Sequence, residues 1–386
     1  MSDRKMRLSS SPHAFSPVDT PRIMLSVVIA LMPATAYGVY LYGLPALGVV
    51  VTSIAAAVLS EFLFRKIIKA STTVGDFSAV VSGLLLALIL PPSTPLWMVA
   101  LGAIFAIVVA KEFFGGLGAN PFNPALIGRA FLLMSFPAAI TSWTMPKGLS
   151  LAADAVSAAT PLNLLKQGNA LTDVAKYFGA NDTGAFYRQL FMGFRSGSIG
   201  ESSILLVLLG GLFLLAIGVI QWVVPLSVLA STFVFSWILG MDPVLGLLTG
   251  GIVFGAFFMA TDYATRPMTP YGQAIFGIGI GLITVLIRKY GGYPEGVTYA
   301  ILIMNTLTPF LNKLRMKNTA LCLLPSLQNH PRRRQNEKGH DKAWDDAHAV
   351  CLSRVRKPRG FLCFHQGEHR QTERNSAAGV AEGDFS

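Results

Sequence analysis

The apolar residues of this chain arrive in long runs, and a run of about 20 such residues is what a helix needs to cross a bilayer. Residues 23–42 and 44–64 meet that length and are separated only by Gly43. In hydrocarbon every backbone N–H and C=O must be bonded inside the membrane structure itself, which leaves helices or closed barrels. Runs of this length without strict alternation read as helical. The chain is therefore expected to be an all-α integral membrane protein. With 52% hydrophobic and 13% charged residues, against about a quarter charged in soluble domains, the composition excludes an ordinary soluble enzyme. A net charge of +11 would suggest nucleic acid in a soluble protein. Here the basic residues before Asn318 mostly flank apolar runs, as topology signals do, and no nucleic-acid-binding motif accompanies them.

Residues 1–22 form a polar, basic arm without a secretory cleavage site, expected to stay in the cytoplasm. Runs at 23–42, 44–64, 74–90, 96–110 and 122–137 make a first set of five spans over 23–137. A polar excursion at 138–203 follows, too short to bury a large core of its own. Runs at 204–224, 226–239, 244–260, 274–287 and 297–311 make a second set over 204–317. Alternate counting from a cytoplasmic N-terminus puts Arg65, Lys111, Arg266 and Lys313 inside and the 138–203 loop outside. Arg288 and Lys289 are the one basic pair that this topology puts on the outer side. Proline interruptions at Pro91 to Pro95, after the third span, and Pro267 to Pro270, after the eighth, suggest two inverted five-helix repeats with a site near the midplane. Residues 318–386, dense in charge and histidine, read as a disordered tail.

Cys322, Cys351 and Cys363 all lie beyond the last run, and His13 is the only histidine before Asn318. Neither an Fe–S cluster nor a b-type haem can be ligated by such a membrane body, and the tail has no Cys-x-x-Cys spacing for zinc. No metal site is expected; any electron carrier would be organic. The outer excursion holds Asp154-Ala-Val-Ser-Ala-Ala-Thr160, a hydroxyl among small residues. Thr160 followed by Pro161 is also the ordinary start of a helix. Glu61, Asp76, Glu112, Arg129, Asp242 and Asp262 fall at or near span ends, where capping and headgroup-facing roles are common.

Ser157-Ala-Ala-Thr160 resembles the Ser/Thr-Gly-Ala-Thr flavinylation motif, with Asp154 at its usual lead-in position. Ala158 stands where the motif has Gly, a change that costs about 1 kcal/mol if the backbone there needs a positive φ. Further stretches occur in matching order: Ser11-Pro-His13, the run from Lys111 to Ala125, Phe258-Met-Ala-Thr-Asp262, Thr269-Pro270, and Gly291-Gly-Tyr-Pro-Glu-Gly-Val297. Together, over about 11–317, they resemble the RnfD component of the Rnf (Rsx) electron-transport complex and, more distantly, the NqrB component of the sodium-translocating NADH:quinone reductase. The resemblance implies a subunit, inactive alone, of a bacterial inner-membrane complex that passes electrons between ferredoxin and NAD while moving Na⁺ or H⁺. It implies FMN joined to Thr160 by a phosphoester, with Asp154 and Ser157 in the motif, and both termini in the cytoplasm. Its partners would be the other Rnf subunits, among them a second flavin-bearing one, a flavin transferase for maturation, and membrane lipid, with no nucleic acid. Thr261 and Asp262, beside the second proline interruption, are candidates for an ion or a second, non-covalent flavin such as riboflavin.

Two other classes compete. A channel or secondary transporter for a small solute is compatible with ten spans in inverted halves, and Asn123-Pro-Ala125 spells the tripeptide of aquaporin half-helices; the second tripeptide that such a pore needs does not occur. A scaffold that only holds other subunits would leave Thr160 unmodified.

Overall fold

The computed structural model describes residues 19–146, 157–158, 160–180, 182–193, 195–292 and 296–313, with 157–158 described by their backbone. The chain forms two units, Met1–Met316 and Lys317–Ser386. Every described residue belongs to the first; Asp154 and residues 318–386 lie outside the described residues.

Helices α1 (Thr20–Tyr42) and α2 (Leu44–Ile68) run 23 and 25 residues. Then come α3 (Ser78–Ile89), α4 (Leu96–Val108), α5 (Pro124–Ser135) and the short α6 (Pro137–Ile140). The polar excursion begins with β1 (Trp143–Thr144), which pairs antiparallel with β2 (Ser157–Ala158), Trp143 opposite Ala158. Helices α7 (Pro161–Lys166), α8 (Leu171–Tyr177) and α9 (Thr183–Met192) complete it. The second half contains α10 (Ile204–Ile217), α11 (Val223–Ile238), α12 (Pro243–Leu248), α13 (Ile252–Phe254), a π-helical turn at Gly255–Met259, α14 (Pro270–Tyr290) and α15 (Val297–Leu311).

About ten spans in two repeats were expected, but among the described residues four helices are long and apolar enough to cross a membrane: Thr20–Tyr42, Leu44–Ile68, Leu96–Phe114 and Pro270–Tyr290. Helices α3, α5, α10, α11 and α15 are apolar but shorter. The 12 residues of α3 rise only about 18 Å, well under the roughly 30 Å hydrocarbon core. Pro91 and Pro92 follow it at once, and ten of its residues are buried, so other helices shield its ends from lipid. The run at 244–260 is no single helix either. Gly250 and Gly251 both take positive φ, 64° and 66°, a backbone closed to most L-residues, and they separate α12 from α13.

Close packing holds the second half together. Gly277 and Gly281, one helical turn apart on α14, let α11 approach so tightly that a Cβ at either would fall 1.8 or 2.0 Å from the hydroxyl of Ser227 or Ser231. Small residues at such spacing are the usual device for close helix contact in lipid, where apolar burial gives no net drive. The excursion builds a small core of its own, in which Val174, Ala175, Phe186 and Leu190 pack with Leu245 of α12. That contact fixes α8 and α9 beside the broken helix, and Leu164 and Leu165 of α7 pack on the same cluster.

Candidate cofactor sites

Thr160 caps α7: its Oγ1 accepts from Asn163 N at 3.3 Å. Only 7% of the residue is exposed. Its recess is walled by Arg195, Glu201, Thr249 and Gly250. A broken helix leaves carbonyls without an i+4 donor, and two buried guanidiniums supply donors here. Arg195 Nη2 donates to Glu201 O at 2.8 Å and Nη1 to Leu248 O. Arg288 Nη1 donates to Gly246 O at 2.6 Å, and Nη2 to Thr249 O at 2.8 Å and Gly250 O at 3.3 Å. Cations at a helix C-terminus also suit its dipole. Half of the basic pair on the unexpected side is thus explained, since Arg288 is 3% exposed and tied to the break beside Thr160. Ala158 lies in the ladder opposite Trp143, an extended backbone that any residue adopts. Alanine in place of the motif's glycine therefore strains nothing there. The side chain of Ser157 lies outside the described residues, as does Asp154.

Thr261 and Asp262 line a second cavity, of about 70 Å³, together with Lys111, Asn120, Asn123 and Tyr263. Thr261 Oγ1 donates to Phe257 O at 2.6 Å, and Asp262 Oδ2 accepts from Thr265 Oγ1 at 3.3 Å. Burial pushes the Asp262 carboxyl above its ordinary range, against the opposing pull of the Ala264 N–H, Thr265 and Arg266. Asn123 begins α5: Oδ1 accepts from Ala125 N at 3.0 Å and Leu126 N at 3.5 Å, while Nδ2 donates to Met259 O at 3.4 Å. The Asn-Pro-Ala tripeptide is thus a helix cap tied to the end of the π-helical turn.

A buried ionic cluster beside this cavity was not foreseen. Glu61 is 0% and Lys111 1% exposed. Lys111 Nζ lies 3.0 Å from Glu61 Oε2 and donates to Ser78 Oγ at 2.6 Å. Arg65 Nε lies 3.1 Å from Glu112 Oε2, and Thr73 donates to Glu61. Glu61 and Glu112 are therefore interior partners of two cations, where span-end groups facing water were expected. Arg129 is likewise buried and donates to Ile89 O at the end of α3, the same use of a guanidinium on a truncated helix as at α12. The i,i+4 spacing of Glu61 and Arg65 was the one available local signal.

Residues 7–320 match the model of the NQR2, RnfD, RnfE family. The chain belongs to this family. It is 46% identical over 314 residues, 79% of this chain and 93% of the relative, to the D component of the proton-translocating ferredoxin:NAD(+) oxidoreductase complex of Clostridium ljungdahlii. It is 44% identical over 317 residues, 81% and 94% of the two chains, to the D component of the Na(+)-translocating ferredoxin:NAD(+) oxidoreductase complex of Acetobacterium woodii. With the D component of the ion-translocating oxidoreductase complex of Escherichia coli O127:H6 it shares 35% over 347 residues, 79% and 96% of the two chains. As a member of the NQR2, RnfD, RnfE family with several apolar helices, the protein is a multi-pass protein of the bacterial inner membrane. Both cavities, the ionic cluster and Thr160 fall inside the family match.

Proposed function

We propose that this chain is the flavin-carrying membrane subunit of an Rnf-type complex that couples electron transfer between ferredoxin and NAD to translocation of Na⁺ or H⁺. Two relatives, at 46% and 44% identity, are named for different ions, so the ion stays open between them. FMN would be held by a phosphoester to Thr160, in the motif begun by Asp154 and Ser157. The observation that carries this is the recess of Thr160, which Arg195 also lines, together with Glu201. Guanidinium is the side chain best suited to a phosphate group. FMN, when bound, supplies the electron carriage, and the protein holds and tunes it. In the second cavity, Thr261 and Asp262 would face an ion or a non-covalent flavin such as riboflavin.

The short helices and the break at Gly250 and Gly251 support ten passes in two inverted five-helix halves, since discontinuous helices are what such repeats place at the midplane. That topology puts Thr160 outside. Ferredoxin and NAD, as intracellular reactants, would then exchange electrons with the outer side by crossing the membrane twice. Each crossing moves charge through the potential, at about 2.3 kcal/mol per charge per 100 mV, and so links the redox steps to ion movement. Thr160→Ala removes the only hydroxyl at the attachment position. Ultraviolet fluorescence of the denatured chain on a gel is expected in the wild type and absent in this variant, with the protein still inserted. Fluorescence that survives would move the anchor elsewhere, to Ser157 first.

A further inference from the structure

An open-sided cavity of about 360 Å³ adjoins the recess of Thr160, and Leu162 lines both. Three of its wall residues are cations: Lys166 from α7, and Arg288 and Lys289 from the end of α14. Its carboxylate, Asp242, is already engaged. Oδ1 accepts from Val244 N at 2.9 Å and Leu245 N at 3.1 Å, and Oδ2 accepts from the Tyr187 hydroxyl. Lys166 and Lys289 are held instead on main-chain oxygens. Lys289 Nζ donates to Leu239 O at 2.6 Å, Lys166 to Gly291 O, and Arg288 to the carbonyls before the helix break. Carbonyls fix a cation in place without cancelling its charge. The rest of the wall is mainly apolar, with Leu162, Leu165, Met241 and Leu245. Arg288 and Lys289 also stand against the positive-inside tendency, which a purely topological role for them does not explain.

We infer that this cavity receives the ring of the flavin carried on Thr160, and that Lys166 and Lys289 are positioning residues that raise its reduction potential. The assignment rests on FMN attachment at Thr160. An apolar wall suits a flat conjugated ring, and fixed positive charge beside a group that gains electrons stabilises its reduced state. Arg288 is left out of the test, because removing it would free three carbonyls at the break.

The test is a redox titration of the detergent-purified complex followed by flavin absorbance. The component missing from the Thr160→Ala complex reports this flavin. Lys166→Gln and Lys289→Gln each remove an exposed cation. Each is expected to shift that component to a lower potential, with a larger shift in the double variant. Lys69→Gln removes an exposed cation that does not line the cavity and should shift nothing. An unmoved potential in lysine variants that still carry covalent flavin overturns the inference and leaves attachment at Thr160 standing. A wild-type chain without covalent flavin overturns both.

Discussion

Around Thr160 the cations rest chiefly on main-chain oxygens, whereas around Lys111 they rest on carboxylates. Arg195, Arg288, Lys166 and Lys289 hold the carbonyls of a broken helix and its neighbouring turns; Arg195 also approaches a carboxylate, Glu201 Oε2 at 3.9 Å. Lys111 and Arg65 face Glu61 and Glu112, two charges against two. The first arrangement keeps positive charge available to an anionic group. The second is neutral in itself and serves as a rigid wall for the cavity of Asp262. One chain thus uses the same residue types to build one region that asks for a ligand charge and one that does not.

Breaking the second region should have the larger effect on stability. Removing one partner of a buried ion pair leaves the other charge uncompensated, at about 3–5 kcal/mol. Lys111→Met should therefore lower the thermal midpoint and the folded yield of the solubilised protein sharply, and adding Glu61→Gln should recover part of the loss. If Lys111→Met proves as mild as an exposed substitution, the cluster is not the buried pair described. Removing the exposed Lys289 by the same measurement should stay within about 0.5 kcal/mol. Between them lies Asn123→Ala, which deletes the cap of α5 and its link to Met259 O. A loss of about 1 kcal/mol is expected from the cap, and thermal unfolding in detergent would measure it.

The contrast between the regions also marks what could be read from the sequence. Thr160 followed by Pro161 announced a helix start, and α7 begins there; the apolar runs announced where helices lie, because both signals are local. The ionic cluster was not legible, since Glu61 and Lys111 meet although they lie 50 positions apart, and each alone looks like a span-end charge. Arg129 and Arg288 were misleading for the same reason. The carbonyls that hold them belong to helices 40 residues away for Arg129 and 42 away for Gly246 with Arg288, and a hydropathy pattern does not show which helix is cut short. The double glycine at 250–251 was visible in sequence, but the surrounding apolar residues concealed the break.

The central claim is that the Thr160 region faces the outer side while the Lys111 region faces the cytoplasm, and labelling tests it most directly. Gly168 on the same turn has a φ of 90°, where a cysteine would be strained. Gln167 is a better position: it is exposed and has an ordinary φ of −74°. In a chain whose Cys322, Cys351 and Cys363 are replaced by Ser, Gln167→Cys is predicted to react with an impermeant maleimide added to intact cells. Reaction only after the membrane is opened would put Thr160 on the cytoplasmic side and contradict the double crossing.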